Sequence, residues 1–101
     1  MWKKHLTNVD HHRQLILDTL DDIWSNPESG FKEWKTHAYM ADTFRALGYE
    51  LHEAGDIPGF TAEVDTGRPG PTVALRADID ALPIQEETDV PYKSKNPGKM
   101  H

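Results

Sequence analysis

Apolar residues recur at two different periods along this chain, and the change of period divides it. From about residue 7 to residue 25, Val9, Ile16, Leu17, Leu20, Ile23 and Trp24 fall mostly three, four or seven apart, with polar residues between them. That spacing predicts an amphipathic helix over residues 7–25. Thr7 with Asp10 three residues later reads as a capping box at its start. Pro27 ends it, because the residue before a proline is pushed out of the α region. Asn26-Pro27-Glu28-Ser29-Gly30 is then a turn. A second helix is predicted over residues 35–47, with Met40, Phe44 and Leu47 on one face and Gly48 where a left-handed residue closes a helix.

From Tyr49 the period drops to two, and strands are predicted over residues 49–53, 59–65 and 72–79. Tyr49, Leu51 and Glu53 alternate with Glu50 and His52, an edge strand. Phe60, Ala62 and Val64 alternate with Thr61, Glu63 and Asp65, a strand with one wet face. Thr66-Gly-Arg-Pro-Gly-Pro71 is a turn cluster that predicts a hairpin return. Thr72 to Ile79 is more continuously apolar, as a central strand covered on both faces would be. Residues 83–101 carry no period and are rich in Pro, Gly, Lys and Asn, a loop. The expected fold class is α/β: two N-terminal helices, then a three-stranded portion of a mixed sheet with one face left open.

A chain of 101 residues is one domain at most. Its size allows one modest core, with roughly 60–70% of the unfolded chain's surface hidden. The balance of 11 basic against 17 acidic residues gives a net charge of -6. That argues against nucleic acid and against an anionic membrane surface as partners, since both favour a basic patch. The longest clean apolar runs, Leu15-Ile16-Leu17 and Val73-Ala74-Leu75, fall far short of the ~20 residues of a membrane span. Residues 1–10 have basic residues but no apolar stretch after them, so no secretory signal is read and a cytoplasmic protein is expected. With no cysteine, these residues offer neither disulfides nor thiol chemistry.

The chemistry worth weighing sits at the end of the third predicted strand. Asp78 and Asp80 are spaced i, i+2 and so leave an extended chain on the same side, with Arg76 on that face too. Two carboxylates that close need a cation, an arginine or a shared proton to coexist, and hard oxygen donors suit divalent metals. The plainer reading is an Arg76–Asp78 pair with Asp80 capping the following turn. Elsewhere the signals are weaker. His11 and His12 are adjacent, hence about 100° apart on a helix. His5, His37 and His52 are isolated, solvated or half-buried side chains. His101 reads as a solvated chain end. Trp2, Trp24 and Trp34 read as packing anchors. The Gly67-Arg-Pro-Gly70 loop lacks the Lys and Ser/Thr of a phosphate cradle.

The block Leu75-Arg-Ala-Asp-Ile-Asp-Ala-Leu-Pro-Ile84, followed by Gly98-Lys-Met-His101, resembles the M20 metallopeptidase family, in particular its aminoacylase-like amidohydrolase branch. Weaker matches to that family's opening are Asn26-Pro27-Glu28, Phe31-Lys-Glu33, Thr36 and Leu47-Gly48-Tyr49. Members continue the second motif as Met-His-Ala-Cys-Gly-His-Asp, so this sequence carries only its first two residues. The resemblance implies that residues 1–101 are the N-terminal part of an M20-like catalytic domain. It also implies hydrolysis of amide bonds in N-acyl amino acids or related small molecules, through a divalent metal pair of zinc, manganese, cobalt or nickel. The family's Cys and His ligands lie beyond His101, so no metal ligand is assigned here and none is expected bound. Asp80 is the candidate supporting group, fixing a ligand or the shape of the site. Asp78 is the weaker candidate, standing where sister branches have a metal-binding His. The family's catalytic glutamate pair lies further on, so Glu86 and Glu87 are read as loop residues, Glu86 with a local hydrogen-bonding role. The 101 residues alone are expected to be inactive and to self-associate through the open sheet. The rival reading is a non-catalytic module that buries that sheet against a partner.

Overall fold

The pattern predicted as one helix over residues 7–25 folds as two. In the computed structural model, which describes all 101 residues, α1 spans Trp2–His11 and α2 spans Arg13–Ser25. The break falls at His12, with φ -101° and ψ 14°. No proline or glycine causes it. The run Asn8-Val-Asp-His-His12 is made of residues from the lower part of the helix-propensity range. Thr7 is not a cap: its hydroxyl donates to the Lys3 carbonyl one turn back, at 3.2 Å, an arrangement that weakens and bends helices.

The second predicted helix forms as α3, Trp34–Ala46, one residue earlier at each end than expected. Its C-terminus closes as the sequence indicated. Gly48 is left-handed at φ 95°, its N–H donates to Arg45 O at 2.9 Å, and the Tyr49 N–H donates to Phe44 O at 3.1 Å. These are the two bonds of a Schellman motif, and the Phe44 and Tyr49 rings, 5.7 Å apart, supply its apolar contact.

The sheet departs most from expectation. Two strands form, β1 (Leu51–Glu53) and β2 (Phe60–Ala62), paired antiparallel with Leu51 opposite Ala62 and Glu53 opposite Phe60. Residues 54–59 make the hairpin turn, closed by an Ala54 N–H to Gly59 carbonyl bond of 2.9 Å. The Thr66–Pro71 cluster turns the chain without making a hairpin, through bonds from Gly67 N to Asp65 Oδ1 (2.8 Å) and Arg68 N to Thr66 Oγ1 (3.3 Å). The expected third strand, residues 72–79, is absent: the segment pairs with nothing. Two of its large apolar side chains stand in water, Val73 78% and Leu75 97% exposed, and Ile79 is half-buried. A strand is defined by its ladder, and an apolar run without a partner has none.

Packing gathers in two places, where α3 meets the hairpin and where the 82–101 loop returns past Trp24 of α2. Trp34, His37, Phe60, Phe44 and Tyr49 form a continuous aromatic chain with centroid spacings of 5.3–5.9 Å, joining α3 to the hairpin. Only Ala41 and Ala81 are buried hydrophobic residues. The accessible surface is 8607 Å², against about 5,800 Å² for a compact protein of this mass. The radius of gyration, 16.2 Å, likewise exceeds the roughly 13 Å of a closed domain this long. No helix is long and apolar enough to cross a membrane.

Candidate functional site

Two segments far apart in sequence meet where residues 78–82 pass the turn between α2 and α3. The Ala81 N–H donates to the Glu28 carbonyl at 2.7 Å. Leu82 and Met100 exchange both main-chain bonds, at 2.6 and 3.1 Å, as an antiparallel pair. That exchange closes residues 82–101 into a loop and brings His101 back to the register of Ala81. Both halves of the sequence signal therefore converge on one edge.

Asp78 and Asp80 have different neighbours there. Asp78 accepts from Arg76 at 3.0 Å, both side chains largely exposed, the pair that the plainer reading of the sequence anticipated. In that setting it contributes at most about 1 kcal/mol. Asp80 lies against the 28–33 turn instead. A Cβ at Gly30 would stand 3.8 Å from Asp80 Oδ2 and 3.8 Å from Glu33 Oε1, so both carboxylates approach this glycine. Glu33 is buried, and its Oε1 accepts the N–H of Phe31 at 3.0 Å. Phe31 is left-handed at φ 63°, a conformation costly for a residue with a side chain.

The loop that returns His101 is ordered by one carboxylate. Glu86, buried, accepts from the Ser94 N–H at 2.7 Å and from the Thr88 hydroxyl. The Thr88 hydroxyl first, then the Ser94 N–H, outweigh desolvation and hold its carboxyl below the ordinary range. Ser94 Oγ in turn donates to the Lys99 carbonyl at 2.6 Å, and Gln85 Oε1 accepts from Gly98 N at 2.7 Å. The local role read for Glu86 is the one it has. His101, expected as a solvated end, is half-buried instead. Its ring lies 6.5 Å from that of Trp24, and its Nε2 is enclosed without a hydrogen-bond partner. Trp24 is pinned in turn by an Nε1–H bond to the Tyr92 carbonyl, at 2.8 Å.

Two further residues emerge only in three dimensions. Glu28, in the Asn-Pro-Glu turn, caps α3 from eight residues away. It accepts from the N–H groups of Lys35 (3.1 Å) and Thr36 (2.6 Å) and from the Thr36 hydroxyl (2.7 Å). Burial alone would raise its pKa, but the Thr36 and Lys35 bonds and the Lys35 charge together bring it below the ordinary value of 4.5. His37, read as an isolated histidine, bridges α3 to the hairpin through both ring nitrogens. The signal for Glu28 was its place after Pro27, before a helix lacking a capping side chain at Glu33. Nothing in the sequence marked His37.

No three His, Cys, Asp or Glu side chains of this chain converge so as to hold a metal ion. Its carboxylates and imidazoles therefore do not fit a metal centre by themselves, and no catalytic step is assigned to them through one.

No family model matches the chain. Individual proteins do. It is 46% identical over 100 residues to thermostable carboxypeptidase 2 of Saccharolobus solfataricus, covering 98% of this chain and 25% of that one. It is 42% identical over 79 residues to hippurate hydrolase of Campylobacter jejuni, covering 78% and 21%. Among solved structures, the YXEP protein of Bacillus subtilis, a dinuclear metal-binding peptidase of the M20 family, superposes with a TM-score of 0.75 at 37% identity. That match covers 89% of this chain and 25% of that one. The chain thus spans about a quarter of the length of the proteins it matches. Similar in sequence to hydrolases and in fold to an M20 peptidase across almost all of its residues, it belongs to the M20 family.

Proposed function

We propose that residues 1–101 are the N-terminal part of the catalytic domain of a metal-dependent amidohydrolase acting on N-acyl amino acids or related small molecules. The observation that carries this reading is the Leu82–Met100 pair. It joins the Arg-Ala-Asp-Ile-Asp block to the Gly-Lys-Met-His segment at one edge, as an active site built from both would require. The relative from Campylobacter, a hippurate hydrolase by name, supports an acylated amino acid as substrate. The dinuclear centre of the Bacillus structure supports a metal pair, with ligands supplied from outside these residues. When bound, such a pair would polarise the scissile carbonyl and activate water.

Within that reading this chain's residues shape the site. Asp80, set against the 28–33 turn, orients a neighbouring ligand group, and Asp78, paired with Arg76, tunes the local charge. The 101 residues have no hydrolytic activity of their own, and their uncovered apolar surface associates with itself when nothing else covers it. The test is release of the free amino acid from N-acyl amino acids by the intact protein, with the purified 101-residue chain alongside. Metal-dependent turnover by the intact protein alone is expected. Turnover by the 101-residue chain, or none by the intact protein across a panel of N-acyl amino acids, would overturn the proposal. The rival reading, a non-catalytic module, draws on the same exposed surface and would be favoured by the second result.

A further inference from the structure

His37 sits where α3 meets the hairpin, its side chain only 12% exposed. Its ring packs edge to face against Phe60 (5.7 Å, 84°) and Trp34 (5.9 Å, 61°). Its Nδ1 lies 2.7 Å from the Gly59 amide nitrogen and its Nε2 lies 3.0 Å from Glu53 Oε1. A backbone N–H can only donate, so Nδ1 must be the bare, accepting nitrogen and Nε2 must carry the proton. Both ends of the hairpin turn are thereby tied to one imidazole: Glu53 where the turn leaves β1, Gly59 where it enters β2.

We propose that His37 is a proton-operated latch for the 54–59 turn. A proton added to Nδ1 points at the Gly59 N–H, and that bond is lost. The Glu53 contact survives, because the imidazolium still donates from Nε2 and now meets the carboxylate as an ion pair. The charged groups facing the ring are few. Glu53 lies on the hairpin side, and Arg45 on α3 shares the same Glu53 Oε1 at 3.2 Å. The other faces are the Trp34 and Phe60 rings. Acidification therefore frees the Gly59 N–H while the Glu53 contact and the Ala54 N–H to Gly59 carbonyl bond still hold, and the Pro58–Gly59 peptide swings between those fixed points. Gly59, at φ 129°, is a position where the backbone tolerates such a swing without side-chain cost.

The test is NMR on the intact protein with 15N-labelled histidine and glycine, following the His37 ring nitrogens and Gly59 amide exchange from about pH 8 downward until the ring protonates. The unsubstituted protein should show a bare Nδ1 at neutral pH. As the ring titrates, Gly59 protection, corrected for intrinsic exchange, should fall roughly tenfold, in line with the loss of one hydrogen bond. In His37→Asn the Oδ1 takes the place of Nδ1 and cannot titrate, so protection should stay high throughout. In His37→Gln the amide reaches Glu53 but leaves Gly59 without an acceptor, so protection should be low throughout. A proton on Nδ1 at neutral pH would overturn the proposal. So would Gly59 protection that stays constant while the ring titrates. Both readings come from the unsubstituted protein, so they stand even if a variant fails to fold.

Discussion

Removing the Glu28 side chain should cost more stability than any other single change at the edge of α3. The carboxylate receives three bonds, two of them from Thr36, which is 3% exposed. In Glu28→Ala the Thr36 N–H loses its acceptor where water cannot easily replace it, a penalty of about 1–3 kcal/mol. The Thr36 hydroxyl adds about 1 kcal/mol. The Lys35 N–H, at the open end of the helix, rehydrates and adds little. The total is about 2–4 kcal/mol, a large share of a typical domain's stability. Glu28→Gln keeps an acceptor oxygen and loses mainly the charge at the helix N-terminus, about 0.3–1 kcal/mol and smaller in salt. Because the folded-state pKa of Glu28 is depressed, its charge contributes fully above the ordinary carboxylate value. That contribution disappears as pH falls through the lower folded value. The gap between the parent and Glu28→Gln should therefore close in acid. Urea unfolding of the intact protein and both variants, at neutral and acid pH, measures all of this. Glu28→Ala within about 0.5 kcal/mol of the parent would refute the capping account.

Other outcomes follow from the same geometry. Gly48→Ala should lower stability by about 1–2 kcal/mol, seen as a lower melting temperature. Its left-handed φ of 95° is costly for any side chain although nothing lies within 4 Å of the added methyl. Glu86→Ala should expose the 82–101 loop to limited proteolysis near Ser94, because the Ser94 N–H and Thr88 hydroxyl lose their shared acceptor; unchanged cleavage would show that the loop is ordered by other contacts. Under the proposed function, Asp80→Asn should lower hydrolysis by the intact protein roughly 10–100-fold. Asp78→Asn should change it far less, with melting temperature held in both. A reversed order would move the supporting role to Asp78.

The C-terminal ends of α2 and α3 were legible, because Pro27 and Gly48 act locally, whereas the start of α1 at Trp2, with Thr7 inside the helix, was not. The His12 break was not, since it arises from a run of individually weak propensities rather than from one breaker. The sheet was misread where its signals depend on partners. Val73 and Leu75 have the composition of a doubly covered strand, yet nothing in these residues pairs with or covers them. The hairpin formed at residues 54–59, whose Gly55 and Gly59 both adopt positive φ, while the Thr66–Pro71 cluster, richer in turn residues, only redirected the chain. At the candidate site, the Asp78–Asp80 spacing was visible and the Arg76 pairing was one of the readings it allowed. The approach of Asp80 to Gly30 and Glu33 was not, because it depends on a turn some fifty residues earlier. The two ties of His37 were invisible for the same reason.

The surface of this chain exceeds that of a compact protein of its mass by roughly 2,800 Å². Even about 400 Å² of apolar area left in water forgoes on the order of 10 kcal/mol of burial, comparable to a domain's whole stability. Under the proposed function these residues are an open part of a larger M20-type domain. Sedimentation velocity of the isolated 101-residue chain at micromolar concentration, paired with its thermal melt, measures this most directly. Dimers or larger assemblies without a sharp monomeric unfolding transition are predicted. A monomer that melts cooperatively would show that the 101 residues close their own core, and would contradict it.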